Sequence, residues 1–122
     1  MEAAPAAWPV ELRVDGPRAN LTIAFDNGER FTLSAEYLRV ESPSAEVQGH
    51  TAAQKQIIGG KRAVTIKTLE PVGNYAVRIH FSDGHDSGLY SWVWLLELGR
   101  GHGKKWEAYL KALKEKRLSR DA

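Results

Sequence analysis

The 122-residue chain contains no cysteine. That excludes disulfides and every thiolate metal site, so a metal would have to be held by histidine, carboxylate or carbonyl oxygen. No apolar run approaches the ~18 residues that a membrane-spanning helix needs. The opening MEAAPAAWP also lacks the basic start and long apolar core of a secretory signal. A cytoplasmic protein with no membrane partner is therefore expected. There is no G-x-S-x-G elbow, and Gly99-Arg-Gly-His-Gly103-Lys104 is one residue short of a phosphate-binding loop and follows a predicted helix, not a strand. Neither serine-hydrolase nor P-loop chemistry is expected. Asn20-Leu21-Thr22 fits a glycosylation acceptor, but it reads as strand residues that happen to match.

The net charge of +2 is unevenly spread. From Arg100 onward there are eight Lys/Arg against three Asp/Glu, a local charge of +5, while residues 1–99 carry −3. This basic segment reads as the solvated face of a terminal helix. Nucleic acid is not an expected partner, because Trp92, Trp94 and Trp106 fall on apolar faces and serve the core better than base stacking.

One domain is predicted, with residues 1–9 as a flexible arm, 10–99 as the folded unit, and 100–122 as a linker and basic helix packed on that unit. Val10, Leu12 and Val14 alternate with polar residues, as do Leu21, Ile23 and Phe25, and Asp26-Asn27-Gly28 supplies a tight hairpin turn before a return strand at 30–33. Ser34 is placed to cap a short helix over 35–39. Residues 41–62 form a long excursion. Strand character resumes at 64–69, and Tyr75, Val77, Ile79 and Phe81 line one face of the longest strand, with Arg78 and His80 on the other. Ser91 is placed to cap a helix through Leu98, with Gly99 as its left-handed stop. After a GRGHG linker, Trp106, Tyr109, Leu110 and Leu113 mark an amphipathic helix.

Two stretches repeat each other. Ile23-x-Phe25-x-Asn27-Gly28 with Leu33, Ser34 and Tyr37-Leu38 parallels Ile79-x-Phe81-x-Asp83-Gly84 with Leu89, Ser91 and Trp94-Leu95. The predicted fold class is α+β: antiparallel strands in hairpins with short helices, a doubled ββα unit, and a C-terminal amphipathic helix.

The chemically loaded residues gather on the second hairpin tip. Asp83, His85 and Asp86 offer imidazole and carboxylate, the donor set of a non-haem metal site, provided a second histidine arrives from His80, His50 or His102. The same trio serves equally well as a turn in which aspartate accepts backbone N–H bonds and the histidine holds a loop.

Leu38-Arg39, Ser42-Pro43-Ser44-Ala45-Glu46-Val47, Gly49-His50, Gly60-Lys61-Arg62 and the whole run from Glu70 to Leu95 resemble one family over roughly residues 10–99. It is the gamma-butyrobetaine-hydroxylase-like N-terminal domain family, in the form of a small stand-alone bacterial member of unknown function. In the carnitine-pathway hydroxylases of that family, this domain precedes an iron/2-oxoglutarate oxygenase domain and binds zinc through three cysteines and a histidine. The resemblance places those cysteines near Ser42, Ser44 and Val47 and the histidine at His85, so only the histidine is kept and zinc is not expected. Related domains also stand beside P-loop ATPase scaffolds that carry iron–sulfur clusters, which implies a link to iron or iron–sulfur metabolism.

The resulting expectation is a non-catalytic binding or adaptor module with a protein partner. Arg39, His50, Asp83, His85, Asp86 and Tyr90 form the predicted interaction site. One competing reading is a small metal-binding protein using His85 with Asp83, Asp86 and a second histidine, iron being the metal left open. Another is self-association through Trp92, Trp94 and the C-terminal helix.

Overall fold

The computed structural model describes residues 7–121. Met1–Ala6, the larger part of the expected arm, lie outside them. Ala7 is buried, the Trp8 N–H donates to Asp26 Oδ1 at 3.0 Å and Trp8 O accepts from the Asp26 N–H at 2.8 Å, so these two residues join the fold.

Period-2 alternation gives six strands in two antiparallel meanders. The first comprises β1 (Pro9–Val14), β2 (Asn20–Phe25) and β3 (Arg30–Ser34), followed by α1 (Ala35–Val40). A short helix, α2 (Ala45–Gln48), and one 3-10 turn at Ala52–Gln54 punctuate the long excursion. The second meander comprises β4 (Ile66–Val72), β5 (Ala76–Phe81) and β6 (Leu89–Ser91), followed by α3 (Trp92–Arg100) and α4 (His102–Glu115).

The two halves share one core. Leu21, Ile23 and Leu33 of the first sheet and Ile66, Ile79 and Phe81 of the second belong to a single buried cluster with Leu95 and Leu98 of α3. Each such side chain contributes about 1.5–3 kcal/mol by leaving water.

The doubling extends to hydrogen bonds. Gly28 and Gly84 occupy the turns at φ of 91° and 88°, a region open to glycine because it has no Cβ. Phe25 N–H donates to Glu29 O at 2.8 Å, and Phe81 N–H donates to His85 O at 3.0 Å. Ser34 Oγ accepts from Tyr37 N–H at 3.0 Å, while Ser91 Oγ accepts from Trp94 N–H at 3.1 Å. The equivalent aromatics then cross over: Tyr37 Oη donates to Leu98 O of α3 at 2.7 Å, and Trp94 Nε1 donates to Glu41 O, just past α1, at 3.1 Å. Each helix thus satisfies a late carbonyl of the other.

Several local expectations need correction. Val10 is 68% exposed, because a register shift between Pro9 and Glu11 breaks the alternation of β1. Tyr75 precedes β5 and is exposed. β4 continues through Pro71, which an edge strand tolerates because its outer side makes no ladder bonds. Gly99 does not stop α3 but sits inside it. A Cβ there would lie 2.5 Å from the Phe31 ring, so glycine is required for close packing rather than for a turn. The GRGHG linker shrinks to Gly101, with His102 and Gly103 opening α4.

The basic segment is only partly a solvated face. Beyond α4 the chain returns to the excursion, where Gly60 and Arg62 N–H groups donate to Ser119 and Arg120 carbonyls at 2.8 and 3.0 Å. Arg120 makes a bidentate pair with the buried Glu36 and lies over the Trp106 ring.

Candidate functional site

At the second tip, the turn geometry sets Asp83 facing back toward α1. Asp83 Oδ2 accepts from Arg39 Nε at 2.8 Å and Lys61 Nζ at 2.7 Å, and Oδ1 accepts from the His85 N–H at 3.1 Å. Burial alone would raise this carboxyl. The Lys61, His85 and Arg39 bonds outweigh it and hold the pKa at about 2. Arg39 is itself about nine-tenths buried, and its Nη1 has no hydrogen-bond partner among the described residues.

His85 turns inward. Its side chain is only 6% exposed, with Nε2 at 2.9 Å from Ser42 Oγ and 3.4 Å from Ser44 Oγ, and Nδ1 at 3.5 Å from Glu46 Oε2. Burial and the Arg39 charge depress its pKa, against opposing pulls from Glu46, Asp83 and Asp86. The order Ser42, His85, Glu46 imitates an activated serine. Ser42 is nevertheless fully buried, and Gly88 presses so closely on its Oγ that an added Cβ would lie 2.5 Å away. An acyl carbon has no approach to it in this fold.

The predicted interaction residues therefore separate. Arg39, Asp83 and His85 converge, whereas Tyr90 lies beneath them, completely buried, donating to Leu38 O at 2.6 Å. Asp86 points outward to His80 Nδ1 at 3.7 Å, and the exposed His50 donates its backbone N–H to Gln54 Oε1. His80 itself turns Nε2 to Glu70 at 2.9 Å, and His102 packs on Tyr37 and Trp106. Among the described residues, no second histidine hydrogen-bonds to or packs on His85. Lys61 joins the site from the excursion, where no periodicity announces it. Its sequence signals are the two preceding glycines that let the chain turn back and its place in the Gly60-Lys61-Arg62 motif of the family resemblance.

A larger feature lies elsewhere. Residues 55–57 and the end of α1 face α3 and α4 across a groove of about 890 Å³. Its apolar floor is Val40, Ile57, Leu96, Ala108, Tyr109 and Ala112. Lys55, Arg100, Lys104 and Lys105 rim it, opposed by Glu41 and Glu97. Tyr109 is fixed by donating to Ile58 O at 2.5 Å, and burial pushes its pKa to about 12. Only the excess of apolar residues on the two terminal helices hinted at this groove.

A family model described as gamma-butyrobetaine hydroxylase-like, N-terminal, matches residues 12–96. The chain belongs to this family. Two solution NMR structures resemble it closely, at TM-scores of 0.83 and 0.82. The first is 43% identical and aligns with 98% of this chain and 89% of its own length; the second is 39% identical, with 94% and 90% covered. A crystal structure of a protein of unknown function from Acidithiobacillus ferrooxidans, placed in the DUF971 family, matches at a TM-score of 0.65 and 35% identity, covering 80% of this chain and 98% of that one. No curated relative matches. The family match ends within α3, so α4 and the groove wall it builds lie beyond it.

Membership gives the zinc question a direct physical test. Ser42, Ser44 and His85 do meet, as the resemblance implies, but two neutral hydroxyls replace thiolates. The Asp83 carboxylate is already neutralised by Arg39 and Lys61, cations that would repel a metal. The cluster does not fit zinc. Among the described residues, no group of three or more histidine, aspartate or glutamate side chains is arranged to hold any metal ion. Two sheets of three strands also differ from the barrel of an oxygenase catalytic domain, in keeping with a match to the N-terminal domain of the family. Among the described residues no helix is long and apolar enough to cross a membrane.

Proposed function

We propose that this protein is a non-catalytic binding module for a protein partner, with the groove between residues 55–57 and the α3–α4 pair as its binding surface. The observation that carries this reading is the contrast between the two candidate regions. Apart from Arg39 Nη1, the charged tip spends its buried polar groups on itself, whereas the groove leaves apolar floor and unpaired lysine in reach of a partner. Its volume of about 890 Å³ lies within the range of built binding sites. In this reading Asp83, His85 and Arg39 act by anchoring α1, whose end forms one groove wall, and Asp86 and His50 stay at the periphery. The cysteine-free composition suits a reducing cytoplasm. A link to iron or iron–sulfur metabolism rests on the family resemblance alone.

Tagged protein and its Ala108→Glu variant, recovered from the source cells and compared by mass spectrometry, test the proposal. A partner held by the wild type and lost by the variant, with unchanged circular dichroism, supports it. A partner retained by both removes the groove from the function, and substrate turnover by the purified chain alone removes the non-catalytic reading. Trp92 and Trp94 offer little to self-association. Their indole N–H groups are spent on Asn74 O and Glu41 O, and Lys105 covers Trp94.

A further inference from the structure

Two helical stripes define the long walls of the groove. On α3, Val93, Leu96, Glu97 and Arg100 recur at i, i+3, i+4 and i+7, and on α4, Lys105, Ala108, Tyr109 and Ala112 recur in the same manner, with Lys104 one turn before Ala108. Side chains on such stripes share one face, so the pair forms a trough running along the helices rather than a round pit. Val93 is 49% exposed at one wall, an apolar group that the fold itself leaves uncovered. The 14 residues of α4 span about 21 Å at 1.5 Å per residue, long enough to seat about four turns of a third helix.

Charge then selects the kind of helix. Of the four cations at the rim, Lys55 is paired with Glu41 and Arg100 with Glu29, while Lys104 and Lys105 have no salt-bridge partner among the described residues. These two lysines belong to the segment carrying +5, against −3 over residues 1–99. The field over α4 is therefore positive, and it draws and orients negative partners.

Building on the binding-module reading, we propose that the groove receives an amphipathic helix of a partner protein whose apolar stripe is flanked by acidic residues. Its apolar side chains cover Val93, Leu96, Ala108 and Ala112. Its carboxylates meet Lys104 and Lys105 at the rim. A helix lying in an apolar groove presents anchors at i, i+3 or i+4, and i+7, which is the spacing the trough offers.

The test is a displayed library of random peptides of about 18 residues, five helical turns, selected on the full-length protein and counter-selected on Ala108→Glu. The expected pool has apolar residues at helical spacing with Asp or Glu beside them. A synthetic peptide from it should gain helicity on binding. It should lose about tenfold or more in affinity to Ala108→Glu and to the double variant Lys104→Glu, Lys105→Glu, and weaken as salt is raised. A groove-dependent pool with basic flanks or extended, non-helical spacing overturns the acidic-helix assignment and leaves the binding-module reading standing. Failure of any pool to distinguish wild type from Ala108→Glu overturns the assignment too. That result sinks the module reading as well only if the cellular partner is also retained by Ala108→Glu. Sedimentation that shows a dimer dissolved by Ala108→Glu overturns the assignment in favour of a second copy.

Discussion

The two hairpin tips have the same backbone and opposite surroundings. Each turns on a glycine near φ of 90°, and each is pinned by an arginine from the helix of the other half: Glu29 by Arg100, Asp83 by Arg39. Arg100 and Glu29 are 52% and 30% exposed, whereas Arg39 and Asp83 are 10% and 22% exposed and take Lys61 and His85 into the same network. Local sequence makes the turn, and depth decides what its charges are worth. A pair in water gains little, because water serves each charge nearly as well. A pair out of water becomes necessary, because neither partner tolerates being left alone.

The largest separation of the halves should come from their arginines. Arg39→Ala strands a partly buried Asp83 with Lys61 alone and should cost about 2–3 kcal/mol in urea unfolding, while Arg100→Ala should leave the midpoint nearly unchanged. Equal effects would erase the distinction. Next is the seam between the halves, where Gly99→Ala drives a methyl group into the Phe31 ring and should cost about 1–3 kcal/mol. Gly103, one turn further on, faces open space, so Gly103→Ala should not destabilise. Tyr37→Phe removes a buried donor from Leu98 O and should lower stability by about 1–2 kcal/mol without moving the core.

The smallest effect is the pH dependence that His85 brings to the second tip. The folded-state pKa of His85 lies below its ordinary value of 6.5, so the unfolded chain binds the proton more tightly. Stability is complete above that value and falls as pH drops through it. His85→Gln, which keeps a hydrogen-bonding end for Ser42, should flatten the slope between about pH 7.5 and 5. At lower pH, Asp83 adds a second loss that begins near its unfolded value of 3.8 and ends through about 2. A thermal-melt series on both proteins separates the two.

Much of this architecture was legible before any coordinates. Five of the six strands follow from alternation and hairpin turns, Ser34 and Ser91 announce both helices, and the Ile-x-Phe-x-Asn/Asp-Gly repeat gives the doubling, because these signals depend on neighbours within one turn or one strand. The misreadings share the opposite cause. Gly99 looks like a helix stop until Phe31 is known to lie against it. Tyr90 looks available on a charged hairpin until α1 covers it. Val10 fits the alternation until the register slips. Each depends on a residue far along the chain, to which local pattern is blind.

The candidate site divides in the same way. That His85 and its aspartates occupy one glycine-built tip was readable, and so was the loss of thiolates, since a missing residue type needs no geometry to be missed. Sequence by itself determined the α+β class, the paired hairpins and helices, and the unsuitability of this chain for the zinc site of its family. Only tertiary structure decided that Asp83 is claimed by Arg39 and Lys61, that His85 faces two serines, and that α3 and α4 leave a groove between them. The reason is physical: strand and helix periods are set by backbone geometry that every residue carries with it, whereas burial, charge pairing and open surface exist only once distant segments share the same space.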